Sequence, residues 1–231
     1  MDKDAGKRRA AEEAAKYIER GMTLGLGTGS TAAHFVDIVG KLASEGWNLR
    51  GVPTSEATRQ QAERLGVEII EPDETTIIDL AVDGADEADP DLNLIKGGGA
   101  ALLREKIIAH AAKKFIVIAD KSKRVVKLGQ FPLPIEISPF SWALTVTALR
   151  RTLAANGFDG APLELRAREG ASVKTDGGNL IIDCKLGRIE DPASLEKALA
   201  AIPGILESGL FCATADMVIY GSESGVSVEN A

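Results

Sequence analysis

The sequence is poor in histidine and cysteine, with only two of each among 231 residues. His34 and His110 have no second histidine or cysteine at ligand spacing, such as the i, i+4 pair of a zinc helix, and Asp37 beside His34 is a lone carboxylate. Cys184 and Cys212 are far apart and lie in or near apolar segments, which predicts buried free thiols rather than a disulfide. We therefore expect no metal centre.

Long apolar runs and an excess of positive charge are also lacking. The longest strongly apolar run, residues 115–119, is far too short to span a bilayer, and the amino terminus shows no apolar core of a secretory signal. The formal net charge is -7, so no overall positive field exists to hold nucleic acid or an anionic membrane. We expect a cytoplasmic protein without nucleic-acid or membrane partners, in which a local site must hold any anionic ligand.

The first half of the chain alternates short β-like runs with helical patterns, which is typical of a parallel sheet built from βαβ units. Apolar residues make up 45% of the sequence and charged residues 26%, as in ordinary globular proteins. The predicted helices of this half cover residues 5–20, 31–44, 56–65 and 100–113. The predicted strands cover residues 22–26, 49–53, 67–70, 78–82 and 115–119.

The pattern changes after Gly129, where the Phe-Pro-Leu-Pro sequence of residues 131–134 predicts a stiff, extended segment. The following elements are helices at 141–156 and 193–201 and strands at 163–166 and 180–183, with a Gly-rich turn at 175–179. Helices beside an antiparallel pair indicate a small α+β domain. We predict a main domain of residues 1–129 plus 205–231, with 217–220 as a further strand, and a small domain of residues 130–204.

The first segment with chemical content is Gly-Leu-Gly-Thr-Gly-Ser-Thr at residues 25–31, between a predicted strand and a predicted helix. Small residues let backbone N–H groups approach a phosphate, and the helix terminus and the hydroxyls of Thr28, Ser30 and Thr31 add donors. The alternative is a tight turn in which Ser30 or Thr31 caps the helix. Because Ser30 stands where a dinucleotide fingerprint has its third glycine, and no P-loop lysine follows, we expect no nucleotide cofactor.

The second segment, residues 81–87, ends an apolar strand with Asp83 and Asp86. Open α/β sheets bind ligands at this end of their strands, and two aspartates three residues apart could both accept hydrogen bonds from sugar hydroxyls. The alternative is an Asx turn followed by a solvated acidic loop that contains Asp89.

The third segment, residues 96–106, begins with Lys96 and three glycines and continues into a predicted helix that contains Glu105. The glycines free backbone amides to face an oxyanion, and Lys96 adds a full positive charge. A carboxylate such as Glu105 can move a proton between neighbouring sugar carbons without a metal. Taken alone, however, the charge run at 104–106 is more typical of a solvated helix face.

The fourth segment, residues 119–124, follows an apolar strand with Lys121, Lys123 and Arg124. Any of these side chains could reach a phosphate from the ligand-binding edge of the sheet. A basic surface turn would look much the same.

Together, these four segments resemble ribose-5-phosphate isomerase A in order and spacing, and residues 131–134, 175–179, 202–204 and 209–211 extend the resemblance over nearly the whole chain. It implies a Rossmann-like α/β domain with a smaller α+β domain. The implied activity is the interconversion of ribose 5-phosphate and ribulose 5-phosphate in the pentose phosphate pathway, through an enediol(ate) and without metal or cofactor. It also implies a homodimer or a larger homo-oligomer.

The resemblance assigns Glu105 as the catalytic base, with Asp83, Asp86 and Lys96 binding and polarising the sugar. The implied substrate-binding set is Lys7, Gly27, Thr28, Gly29, Ser30, Thr31, Asp83, Gly84, Asp86, Lys96, Gly97, Gly98, Gly99 and Lys123. One departure is the segment 52–58, where a more serine-rich run is expected and Pro53 and Glu56 stand instead. Competing hypotheses are a sugar-phosphate sensing domain, which would bind without turnover, and a nucleotide-dependent transferase or dehydrogenase.

Overall fold

The computed structural model describes residues 3–231 and shows a mixed α/β protein, which confirms the predicted fold class. The helices of this part of the chain are α1 (Lys3–Ala14), α2 (Ser30–Ser44), α3 (Glu56–Arg64), α4 (Leu102–Ala111), α5 (Trp142–Ala155) and α6 (Pro192–Ala200). The strands of its first half are β1 (Thr23–Leu26), β2 (Arg50–Pro53), β3 (Glu68–Ile69), β4 (Leu80–Gly84), β5 (Glu87–Ala88), β6 (Leu94–Ile95) and β7 (Phe115–Asp120). The later strands are β8 (Leu133–Ile137), β9 (Leu163–Leu165), β10 (Ala167–Arg168), β11 (Ala171–Ser172), β12 (Leu180–Cys184), β13 (Ile205–Ser208), β14 (Leu210–Phe211), β15 (Met217–Ser222) and β16 (Gly225–Asn230).

The chain forms two compact units. The first contains Met1–Ala85, Arg104–Arg124 and Thr214–Ala231, and the second contains Asp86–Leu103 and Val125–Ala213. This division differs from the predicted one, 1–129 plus 205–231 against 130–204. The reason is that β6 pairs with both β5 and β14, so that these short strands form one antiparallel sheet within the second unit.

The first unit is built on a seven-stranded sheet in the order β16-β15-β7-β4-β1-β2-β3. All neighbouring pairs are parallel except β15 with β16, and β15 joins β7 as the predicted strand at 217–220 required. Side chains alternate across β1: Leu24 and Leu26 enter the core beneath α1, α2 and α3, whereas Gly25 faces α4. A Cβ at Gly25 would lie 2.5 Å from Ile108 Cγ2, so glycine lets α4 pack directly on the sheet.

The second unit contains a four-stranded antiparallel sheet in the order β13-β8-β12-β9. Leu133, Ile135 and Ile137 of β8 alternate toward a core that α5 and α6 complete with Leu149 and Leu195. The small sheet of β14, β6 and β5 and the β10–β11 pair belong to the same unit.

The two cysteines are free thiols, with Cys184 buried and Cys212 half-buried. Burial raises the pKa of the Cys184 thiol. Within residues 3–231, no helix is both long enough and apolar enough to cross a membrane.

Candidate active site

Four parallel strands of the first unit end at one edge of its sheet. Residues 27–31 follow β1, and Thr54 follows β2. Asp83 lies near the end of β4, and Asp120 is the last residue of β7. Because neighbouring parallel strands share their carboxyl edge, segments distant in sequence meet here. The structure therefore brings the first, second and fourth predicted segments to the same edge.

Asp83 is a buried carboxylate whose orientation is fixed by backbone donors. Its side chain is 3% exposed, and Oδ1 accepts hydrogen bonds from the N–H groups of Thr28 at 2.9 Å and Gly84 at 2.7 Å. Position 27 must be glycine, because a Cβ there would collide with the Asp83 side chain. With its position fixed by these backbone donors, the Asp83 carboxyl group is suited to accept hydrogen bonds from a polar ligand.

Threonine side chains connect this edge to the end of β2. Thr28 Oγ1 lies 2.7 Å from Thr54 Oγ1, and the Thr58 hydroxyl donates to the Gly27 carbonyl at 2.9 Å. Thr54 is 2% exposed and Thr58 is 5% exposed. The sequence analysis did not assign Thr54 or Thr58 to the site, although both lie in the segment after β2 where it noted a departure from the family pattern.

The loop after β1 leads into α2 through Gly29, which has a φ of +105°. Ser30 begins the helix, and Lys7 Nζ donates to Ser30 Oγ at 2.9 Å. A residue from α1 is thus brought to the predicted phosphate loop from 23 residues away. An ammonium group and a helix amino terminus on one loop favour an anion.

Glu105 lies in the first turn of α4 and is only 4% exposed. This burial excludes the interpretation of Glu105 as part of a solvated helix face. The side chain borders a narrow internal gap, too small to hold a water molecule, together with Gly27, Thr54 and Asp83. Two buried carboxyl groups, Glu105 and Asp83, thus border the same gap, and such groups are candidates for proton transfer.

Lys123 ends a short 3-10 turn directly after β7. Asp120 organises this turn, because its Oδ1 accepts from Ser122 N–H at 3.0 Å and from Ser122 Oγ at 2.5 Å. Lys123 is half-buried and Lys121 is exposed, a difference that the residue pattern of this segment alone did not indicate.

In the second unit, the glycines after Lys96 form a turn that is bonded to Asp86. The Gly98 N–H donates to Asp86 Oδ2 at 2.8 Å, and the Ala100 N–H closes the turn on the Gly97 carbonyl at 3.1 Å. Gly97 has a φ of +103°, which an L side chain rarely adopts. Asp86 is held through its own N–H, which donates to the Ile95 carbonyl at 2.8 Å.

Lys96 is 2% exposed and follows β6. Its Nζ lies 5.4 Å from the centre of the Phe211 ring on β14, a cation–π geometry. Its N–H donates to the Gly209 carbonyl at 2.8 Å. The face of the ring gives the buried ammonium group a favourable electrostatic contact.

Arg166 also touches the glycine turn, and nothing in the sequence analysis singled it out. Its Nη1 donates to the Gly97 carbonyl at 2.7 Å, across 69 positions of sequence. Arg166 ends the predicted strand at 163–166, and an arginine at the end of a strand carries no local signal of such a contact. Among residues 3–231, no cluster of three or more His, Cys, Asp or Glu side chains could hold a metal ion.

Comparison with known proteins agrees with this architecture. The sequence profile of ribose 5-phosphate isomerase A (phosphoriboisomerase A) matches residues 50–225. A ribose-5-phosphate isomerase A of Nitrobacter hamburgensis is 50% identical over 228 residues, covering 99% of this chain and 98% of that protein. The solved ribose 5-phosphate isomerase of Plasmodium falciparum is 31% identical, with a TM-score of 0.93 and 99% of each chain covered.

A D-ribose-5-phosphate isomerase solved in complex with phospho-erythronic acid is 44% identical, with a TM-score of 0.92 and 100% of each chain covered. The fold and these relatives define an aldose–ketose isomerase of sugar phosphates. More narrowly, the chain belongs to the ribose-5-phosphate isomerase A family, whose members interconvert ribose 5-phosphate and ribulose 5-phosphate.

Proposed function

We propose that this chain isomerises ribose 5-phosphate by metal-free proton transfer, with Glu105 as the base. Glu105 takes the proton from C2 of the open-chain aldose, which leaves an enediolate, and returns a proton to C1. The proton of the C2 hydroxyl passes to the C1 oxygen, so that the C1 oxygen becomes a hydroxyl, the C2 oxygen becomes the carbonyl, and no redox partner is needed. The observation that carries the proposal is the burial of the Glu105 carboxyl group, which borders the same narrow internal gap as Asp83.

The remaining roles follow the family resemblance and are part of this proposal. Asp83 and Asp86 accept hydrogen bonds from the sugar, and Lys96 offsets negative charge that develops on its oxygen atoms. Lys7, Ser30, Thr31 and Lys123 bind the phosphate, and Gly27, Thr28, Gly29, Gly84 and the glycines at 97–99 line the bound sugar phosphate. The bond from Lys7 to Ser30 supports the phosphate assignment, because it brings a cation to the start of α2.

The direct test is turnover of ribose 5-phosphate by the purified chain in the presence of excess chelator. We expect ketose formation at an undiminished rate, and incorporation of some solvent deuterium at the transferred position in heavy water. Loss of activity on chelation, with recovery on adding one metal, would overturn proton transfer by Glu105 in favour of a metal-assisted hydride shift. Binding of phospho-erythronic acid without any turnover would indicate a sugar-phosphate sensor instead.

We also propose that the chain works in the pentose phosphate pathway of the cytoplasm, as a homodimer or larger homo-oligomer. Free thiols at Cys184 and Cys212 are compatible with a reducing compartment. Exposed apolar side chains support self-association, since Phe140 and Leu144 are 83% and 73% exposed. Fractionation of cells that express the tagged chain would test the location.

A further inference from the structure

The Arg166 side chain uses its guanidinium group to join a carboxylate to the glycine turn. Nε and Nη2 donate to the two oxygens of Asp183 on β12, at 2.8 and 2.5 Å. Nη1 donates to the carbonyls of Gly97 at 2.7 Å and Gly98 at 3.3 Å. The side chains of Arg166 and Asp183 are 14% and 20% exposed, so water screens these contacts only weakly.

The backbone of Arg166 is itself anchored to the sheet. Its N–H donates to the Ile181 carbonyl at 2.8 Å, and its carbonyl accepts from the Val173 N–H at 2.9 Å. Asp183 is held within β12, opposite Pro134 on β8 and Glu164 on β9. The guanidinium therefore projects from a rigid support, as a residue that positions others must.

Because the peptide group is planar, the bonds from Arg166 to the Gly97 and Gly98 carbonyls also fix the directions of the N–H groups that follow them. The structure contains no cis peptide bond among its described residues, so each C=O and the following N–H point in opposite directions. With the Gly97 carbonyl turned to Arg166, the Gly98 N–H faces Asp86 and bonds to its Oδ2. With the Gly98 carbonyl also turned to Arg166, the Gly99 N–H is directed away from the guanidinium.

We infer that Arg166, oriented by Asp183, is a positioning residue for the isomerisation. It fixes the Gly99 amide toward the negative charge that develops on the enediolate and, through the Gly98 amide, fixes the carboxylate of Asp86. The inference rests on the proposed function, which assigns Asp86 and the glycine turn to the sugar. Donors that are oriented before reaction stabilise a transition state most, because they need no reorganisation during it.

Arginine is required for this arrangement. A guanidinium has five N–H donors in a fixed planar fork, and Arg166 uses one edge for the carboxylate and another nitrogen for the two carbonyls. A lysine at position 166 would keep the charge but could not hold Asp183 in two-point contact while reaching the turn. Substitution of Arg166 by lysine therefore tests the geometry of the guanidinium group separately from its charge.

The first test compares Arg166→Met with Lys185→Met. Lys185 directly follows β12 and forms an ion pair with Glu164 on β9 at 2.6 Å, and its described hydrogen bonds do not include the glycine turn. Losing one oxyanion donor typically lowers kcat by about 10²–10³-fold, so we expect misplacement to lower kcat roughly 10- to 100-fold. KM should rise by no more than about threefold, because the Gly99 amide acts on charge that forms in the transition state and Asp86, which binds the sugar, is still present. Lys185→Met should keep wild-type kcat and KM.

Two further variants test whether Arg166 and Asp183 act together. Arg166→Lys should lose nearly as much kcat as Arg166→Met; full rescue by lysine would overturn the positioning role, because charge alone would then suffice. Asp183→Asn should lower kcat in the wild-type background and lower it no further in the Arg166→Met background. Equal losses in both backgrounds would show that Asp183 does not act through Arg166.

Amide hydrogen exchange at Gly98 gives a readout that does not depend on turnover. We expect faster exchange in folded Arg166→Met than in the wild type and in Lys185→Met, because the turn is released from its carbonyl anchor. If the wild type does not isomerise ribose 5-phosphate, the proposed function fails while this exchange difference remains. An active wild type together with unchanged kcat and unchanged Gly98 exchange in Arg166→Met would overturn the inference alone.

Discussion

Glu105 is buried in the first turn of α4, at a position where a helix could also present a charged residue to water. Glu105→Gln keeps the size and hydrogen-bonding capacity of the side chain and removes its ability to accept a proton from carbon. General-base catalysis is typically worth about 10²–10⁴-fold, so kcat should fall by at least about 10²-fold. Affinity for phospho-erythronic acid, measured by calorimetry, should change little.

Exchange of the transferred hydrogen with solvent tests directly whether Glu105 carries the proton. The wild type should exchange part of the transferred hydrogen with water, whereas the glutamine variant should show neither exchange nor turnover. Near-normal turnover by a variant whose folding is confirmed by circular dichroism would mean that another group carries the proton.

Lys123 and Lys121 offer a matched pair within one short turn, since Lys123 is half-buried and Lys121 is exposed. A phosphate distant from the reacting carbons is held alike in ground and transition states. Lys123→Ala should therefore raise KM for ribose 5-phosphate by roughly tenfold or more and leave kcat within about threefold, whereas Lys121→Ala should change neither. A collapse of kcat at unchanged KM would contradict the phosphate role of Lys123.

At the scale of whole elements, Asp79 connects the start of β1 to the chain after α4. It accepts from the Thr23 N–H at 3.0 Å and from Lys113 Nζ at 2.9 Å. Burial acts to raise the pKa of Asp79, but the Thr23 hydrogen bond and the Lys113 charge outweigh it and hold the pKa below its ordinary value. The ionised carboxylate therefore stabilises this junction.

The lowered pKa fixes the direction of a pH effect on stability. A carboxyl group with a lower pKa in the folded state contributes stability above its unfolded pKa of about 3.9 and loses it as pH falls through the folded value. Asp79→Asn, which keeps an acceptor for Thr23, should lower the free energy of unfolding by about 1 kcal/mol at pH 7. In urea titrations the difference from wild type should shrink below about pH 4. A difference that persists unchanged at pH 3 would contradict the assignment.

At the scale of the whole molecule, the proposal that the chain self-associates can be tested by measuring its mass in solution. The chain has a mass of 24.3 kDa, and the second unit exposes Phe140 and Leu144 near the start of α5. Light scattering after size exclusion should give at least about twice the chain mass, because exposed apolar patches of this kind mark contact surfaces. Phe140→Ser with Leu144→Ser should shift the mass toward the monomer if these residues form the contact. A monomeric wild type would contradict the proposed oligomer.

The core of the first unit could be predicted from periodicity alone. The buried strands β1, β4 and β7 alternate with helical patterns over stretches long enough that strands could be predicted there, whereas the order of the strands in the sheet was not predicted. The strands β5, β6 and β14 were not predicted, because two residues carry no periodic signal. Their pairing assigns residues 86–103 to the second unit, which no local pattern indicates.

The sequence by itself singled out the segments at 25–31, 81–87, 96–106 and 119–124 as candidates for chemistry, because backbone requirements and residue chemistry are local. The resemblance to the family, and not the spacing, assigned the role of base to Glu105. Only the tertiary structure decided that Glu105 is buried beside Asp83, that Lys7 reaches Ser30, and that Arg166 holds the turn at Gly97. Burial and hydrogen-bond partners depend on residues that folding brings together. Arg166 and Gly97, for example, are 69 positions apart in the sequence, so a local sequence pattern cannot indicate their contact.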